Sequence, residues 1–166
     1  MALADALGRL VIANPDFEEI ERSRGVFCPF EAIGMVKQEI RHAHYLAYCL
    51  DPRRPHGFGS ECLRALLRAA AHVQRGGAGQ RMTALDVHLM DFDAAQIRRE
   101  WRSIDLLAEI ANEKLVVAIE LKIDAAEHGG QLRRYRDIVE QQWSSVDGWQ
   151  HLFLFLTKAG EEASET

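Results

Sequence analysis

The stretch Leu115-Val116-Val117-Ala118-Ile119 is an unbroken apolar run of strand length, and it ends in Glu120-Leu121-Lys122. Side chains alternate along a strand, so Glu120 and Lys122 point one way while Ile119, Leu121 and Ile123 point the other. Charges at the end of such a strand are unfavourable unless they meet a partner or solvent. Asp105 interrupts Ile104-Asp105-Leu106-Leu107 in the same manner. Asn112-Glu113 reads as a turn between the two strands, which makes them antiparallel neighbours. Asp105 and Glu120 are 15 residues apart with that turn near the midpoint, so they can lie side by side.

The rest of the chain supplies helices to cover such strands. Residues 1–30 form a polar lead-in, read as a short helix followed by irregular chain around Pro15 and Pro29. From Glu31 to Leu50, Ile33, Val36, Ile40, Ala43, Ala47 and Leu50 recur at three- and four-residue steps, the pattern of one amphipathic helix. Asp51-Pro52 stops it, because proline disfavours helical geometry in the residue before it. A loop, Arg53 to Gly59, leads to a second helix, Ser60 to Val73, with Ser60 as N-cap. Gly76-Gly77-Ala78-Gly79 ends that helix. Strands are expected at 83–92 (around Leu85, Val87 and Leu89), at Trp101–Ile110 and at Leu115–Ile123. Asp124-Ala125-Ala126-Glu127 resembles a capping box opening a helix with Leu132, Tyr135, Ile138, Val139 and Gln142 along one side. His151–Thr157 is a short apolar run suited to a buried strand. The expected fold is α/β, a mixed sheet flanked by helices in the order αβββαβ, with the third strand, the helix and the fourth strand forming a right-handed crossover.

With 166 residues, 48% hydrophobic and 27% charged, the chain suits a single globular domain over residues 31–166 behind the lead-in. It shows neither a secretory signal nor an apolar run long enough for a membrane span. Cys28, Cys49 and Cys62 are an odd number without CxxC spacing, which argues against a disulfide framework or structural zinc. A reduced, cytoplasmic setting is the expectation. The net charge of −5 argues against a tight nucleic-acid binder that relies on a global basic excess, while leaving room for a local basic groove.

Two converging carboxylates make a hard-oxygen site suited to Mg²⁺ or Mn²⁺. A lysine beside them can orient a water, stabilise charge on a phosphorane or help deprotonate the nucleophile. The plain alternative is a cross-strand ion pair between Asp105 and Lys122 at a sheet edge, and spacing alone does not decide between the two. Glu39 borders the apolar side of the first helix and could equally be a solvated glutamate. Gln131 and Tyr135 share a helix face, suited to a site or to a buried polar contact. His42 and His44 are two apart on a helix and face different ways, which disfavours a metal pair. His56 sits in a glycine-containing loop near a helix start, where amides can meet phosphate or where it simply shapes a turn. Arg98, Arg99 and Arg102, with Arg133, Arg134 and Arg136, are phosphate-contact candidates or ordinary surface charges. No Ser/His/Asp or Cys/His arrangement is recognisable, and no Walker-type glycine loop.

Taken in order, a set of pieces resembles the PD-(D/E)XK nuclease superfamily, in the branch with an acidic first helix and a His-Gly turn. They are Glu39 with His42 and Leu46-Ala47, Leu50-Asp51-Pro52, His56-Gly57-Phe58-Gly59, Ile104-Asp105-Leu106-Leu107, Ile119-Glu120-Leu121-Lys122-Ile123, Gln131-Leu132 with Tyr135, and Phe153-Leu154-Phe155-Leu156-Thr157. The resemblance implies a restriction-endonuclease-like fold and a metal held by Asp105, Glu120, the Leu121 backbone carbonyl and Glu39. Lys122 is then the catalytic lysine, and Gln131 faces the same site. Ile104 stands where the motif's name has proline, a variable position.

The implied activity is a Mg²⁺-dependent phosphodiesterase, Mn²⁺ being able to substitute, that cleaves nucleic acid, DNA before RNA, and leaves a 5′-phosphate. His56, Arg98, Arg99, Arg102, Arg134 and Tyr135 are the candidate nucleic-acid contacts. The competing reading is a nuclease-fold module that binds nucleic acid or regulates without cutting. The chain stops soon after its last strand, where related proteins usually continue, which leaves open a C-terminally trimmed domain of a larger host protein or a site activated only by a partner; a homodimer is a further open possibility. A role in defence against foreign DNA rests on family analogy alone.

Overall fold

A computed structural model describes residues 28–73, 82–122 and 131–157. The chain divides into two compact units, Met1–Val36 and Lys37–Thr166. In the first unit the described part contains one short helix, α1 (Pro29–Ala32). It closes with Gly34 at φ +68°. There the Met35 N–H donates to the Phe30 carbonyl and the Gly34 N–H to the Glu31 carbonyl. This is a Schellman ending, and it needs the left-handed conformation that glycine adopts without a Cβ clash. The single helix expected from Glu31 to Leu50 is therefore two helices, the second beginning at Glu39.

The second unit runs α2 (Glu39–Leu50), α3 (Glu61–Val73), α4 (Ala84–Leu89), β1 (Gln96–Trp101), β2 (Ile104–Ile110), β3 (Leu115–Lys122), α5 (Gln131–Gln142) and β4 (Gln150–Thr157). The four strands form one sheet in the order β1-β2-β3-β4. The first three are antiparallel and β4 pairs parallel with β3. The mixed α/β architecture is the one expected, but two of its parts differ. Residues 83–92 contain a helix instead of a strand. Thr83 accepts from the Asp86 N–H while Asp86 accepts from the Thr83 N–H, a capping box that starts α4. Arg64 donates to the carbonyls of Val87, His88 and Met90 at its far end. Of the three alternating residues that suggested a strand, only Val87 is buried; Leu85 and Leu89 are exposed.

The second difference is at the start of the strand expected over Trp101–Ile110: β2 runs from Ile104 to Ile110, and Trp101 instead ends β1, an unforeseen strand that forms a hairpin with it. β1 ends at Trp101 opposite Ile104. The two loop residues, Arg102 and Ser103, carry φ of +50° and +70°. Tight hairpins favour positive φ at both loop positions, where asparagine or glycine is the usual choice. Without that signature the turn is hard to read, and each L-residue held there costs on the order of 1–2 kcal/mol.

β3 is buried from Leu115 to Leu121, because both of its faces are covered. Leu115, Val117, Ile119 and Leu121 join Leu106, Ala108 and Ile110 of β2 beneath Ala43, Leu50, Leu63, Leu67 and Val87 of α2, α3 and α4. Val116 and Ala118 face the other way, with Leu107, Tyr135, Val139 and Trp143. Alternation then places Glu120 on the α5 side, at the end of a fully covered strand. Leu106 has no exposed surface and sits at the centre of the sheet. Its replacement by alanine is expected to destabilise the chain by about 2–5 kcal/mol. Urea unfolding followed by far-UV circular dichroism measures this.

Candidate active site

The β2–β3 register pairs Leu106 with Ile119, so the next row sets Asp105 opposite Glu120. Asp105 Oδ2 accepts a 2.8 Å hydrogen bond from the Leu121 N–H, which pins its carboxylate to β3. Glu120 is 3% exposed, and an ionised carboxylate so placed requires strong donors. Its Oε1 lies 2.8 Å from Lys122 Nζ. Its Oε2 lies 2.8 Å from the Tyr135 hydroxyl. The same hydroxyl is 2.6 Å from the Ser103 carbonyl, so one proton serves two acceptors. Tyr135 thereby ties α5 to the positive-φ turn that leads into Asp105 and to the carboxylate on the next strand.

From the other side of the sheet, α2 brings Glu39 Oε2 to 4.0 Å from Lys122 Nζ, the outer limit of an ion pair. Glu39 is the first residue of its helix, where a carboxylate is favoured by the unpaired amides. Glu120, Lys122 and Glu39 are all near enough to Asp105 to act on its charge. The plain alternative, an Asp105–Lys122 ion pair, does not form; Lys122 pairs with Glu120 and with Glu39.

The charges influence one another. Burial pushes the Asp105 carboxyl above its ordinary value, with the neighbouring Glu120 and Glu39 acting in the same direction. The Leu121 amide and Lys122 oppose this without cancelling it. For Lys122, burial pulls the ammonium down, but Glu120, Glu39 and Asp105 together carry it above the usual lysine value. Lys122 is therefore a charged donor in this state. Two carboxylates pair with one ammonium and a third, Asp105, lies on the adjacent strand, an excess of negative charge that hard divalent cations such as Mg²⁺ or Mn²⁺ relieve. In donor chemistry the residues fit such an ion. Among the described residues, no three His, Cys, Asp or Glu side chains are already gathered as a metal-binding group. Both Glu120 oxygens are engaged by internal donors in this arrangement.

The remaining candidates are dispersed. The Gln131 side chain, Arg133, Ile123 and the expected Asp124–Glu127 cap lie outside the described residues. Tyr135 is 1% exposed and has no surface to offer a nucleic acid, which corrects its assignment as a contact. Arg98 donates to Glu109 Oε2 at 2.6 Å and lies over the Trp143 ring. Arg102 lies over Trp101, Arg134 over Tyr135 and Arg136 over Phe153. Arg99 is partly buried, and its Nη1 has no hydrogen-bond partner. His56 shapes its turn. Its Nδ1 accepts from the Phe58 N–H, so its proton is on Nε2, 3.0 Å from the Asp51 carbonyl. The sequence did not reveal the bridging role of Tyr135 through Ser103. Its only sequence trace is a tyrosine on the apolar side of α5.

The raised Asp105 pKa has a consequence for stability. The folded chain takes up this proton at higher pH than the unfolded chain, whose carboxyl stays near 3.8. Ionised Asp105 therefore opposes folding above its folded pKa, and the opposition fades as pH falls through the window down to 3.8. Asp105→Asn is expected to raise stability at neutral pH, with the gain shrinking to nothing in acid. Denaturant unfolding across that pH range reads it, and a variant less stable than the parent at neutral pH would contradict it.

The comparison with protein families finds one match, to the PD-(D/E)XK nuclease superfamily over residues 29–166. No curated protein and no solved structure gives a match.

Proposed function

Because the chain belongs to the PD-(D/E)XK nuclease superfamily, we propose that it is a metal-dependent nuclease acting on nucleic acid, DNA before RNA, with Asp105, Glu120, Lys122 and Glu39 as its working residues. The observation that carries this is the pairing of the Lys122 ammonium with Glu120 and Glu39, next to Asp105 on the neighbouring strand, so that three separate elements bring their charges together. Among the described residues no helix is long and apolar enough to cross a membrane.

The reaction adds water across a phosphodiester. The water oxygen bonds to phosphorus, the bond to the 3′-oxygen breaks and that oxygen takes up a proton, leaving a 5′-phosphate. Mg²⁺, or Mn²⁺ in its place, held by Asp105, Glu120, the Leu121 carbonyl and Glu39 would polarise the phosphate and lower the pKa of the attacking water. Lys122 brings three N–H donors and a full charge. On release from Glu120 it can donate to a non-bridging phosphate oxygen, where charge grows in the transition state. Leu121 and Tyr135 hold the two strand carboxylates in place before substrate arrives.

A second reading, a nuclease-fold module that binds without cutting, is favoured by one observation: both Glu120 oxygens have internal partners. A gel assay on single- and double-stranded DNA and RNA separates the two. Cleavage is expected with Mg²⁺ or Mn²⁺ and is abolished by EDTA. Lys122→Ala and Asp105→Ala should each slow it by about a hundredfold or more. Unchanged cleavage by both variants would sink the site assignment.

A further inference from the structure

The loop after α2 holds aromatic rings facing solvent in a fixed arrangement. Phe58 is 56% exposed and Tyr48 is 40% exposed. Between them, His56 stacks on Phe58 with centroids 5.2 Å apart and meets Tyr48 edge-on at 5.5 Å. Local chemistry holds this ladder. The His56 ring bridges the Asp51 carbonyl and the Phe58 N–H. The buried Asp51 carboxylate is gripped by the Arg53 side chain and backbone N–H. Gly57 and Gly59, at φ +79° and +55°, bend the chain on either side of Phe58. An exposed phenylalanine held against a stacked imidazole leaves a ring face that a partner can cover.

The surroundings indicate what covers it. Arg53 and Arg54 of the same loop have exposed side chains and share the Asp51 carboxylate between them, leaving a net positive charge there. On α2, exposed Arg41, Tyr45 and Tyr48 follow one another at steps of four and three, a single stripe on the helix. The patch thus joins flat π faces with guanidinium groups in a chain whose net charge is −5. That is the chemistry that binds unpaired bases and their phosphates. Arg41 is two residues from Glu39, about 200° round the helix, so this stripe lies on the face of α2 away from the one that brings Glu39 to Lys122.

We infer that the Tyr48–His56–Phe58 ladder is a stacking platform for unpaired bases of a nucleic-acid strand, on a face of α2 separate from the one that carries Glu39. This rests on the nucleic-acid reading above, but its test does not require cleavage. A short fluorescent single-stranded oligonucleotide is titrated in EDTA against the full chain and followed by anisotropy. Phe58→Ala and Tyr48→Ala should each weaken binding about tenfold, while Phe58→Trp and Tyr48→Phe, which keep a ring, should bind as the parent does. Arg41→Ala should flatten the salt dependence. Equal affinity of parent and alanine variants, or no binding by the parent, would overturn the proposal. So would self-association, seen by sedimentation, that depends on the rings while oligonucleotide affinity does not. Ring-dependent binding without cleavage in Mg²⁺ would support the platform and count against the nuclease reading. Cleavage with ring-independent binding would do the reverse.

Discussion

A carboxylate almost without solvent, Glu120, sits at the end of a strand covered on both faces, and its two oxygens determine much of the site's arrangement. One is met by Lys122 and the other by Tyr135. Each contact draws in another element. Lys122 reaches Glu39 on α2, and Tyr135 reaches the Ser103 carbonyl in the β1–β2 turn. The antiparallel register then sets Asp105 beside Glu120, held by the Leu121 amide. Breaking one partner of such a buried set leaves an uncompensated charge, while keeping it intact adds little to stability. The shifted Asp105 shows the same imbalance, since its burial among like charges opposes folding. Sites that carry chemistry commonly hold this kind of local disadvantage.

The same arrangement sets the resting state of the lysine. Beside Glu120 and Glu39 Nζ is held protonated, the form in which it donates hydrogen bonds. The same ammonium stands where cationic charge is needed, and the proposed activity requires it to exchange partners when a metal and a phosphate arrive. Tyr135 and the Leu121 amide, being fixed by backbone groups, are suited to preserve the carboxylate positions during that exchange.

The parts legible in the sequence carry a plain apolar run or stripe: β3 is apolar from Leu115 to Ile119, α5 has a clear helical stripe, and the Asp105–Glu120 pairing follows from one turn between two strands. β4 is a strand as its apolar run suggests, but the expected burial is not found: it lies at the sheet edge with only Leu152 buried. The parts that were misread have contrary local signals. Leu85, Val87 and Leu89 alternate like a strand, yet two of them are exposed, and the Thr83–Asp86 capping box was the better guide. Arg102 and Ser103 turn a hairpin without the residues that usually announce one. Gly34 breaks a pattern that would otherwise run through from Glu31 to Leu50. The second bond of the Tyr135 hydroxyl, and the stacking of His56 on Phe58, depend on tertiary placement and have no periodic trace.

The central claim is that Asp105 and Glu120 form a carboxylate pair for a divalent cation, with Lys122 as the ammonium that balances them beforehand. Calorimetric titration of Mn²⁺ into the parent, Asp105→Asn and Glu120→Gln tests it most directly. The account predicts saturable binding to the parent that is lost in both variants. Absence of binding to the parent, or equal binding to all three, would contradict it.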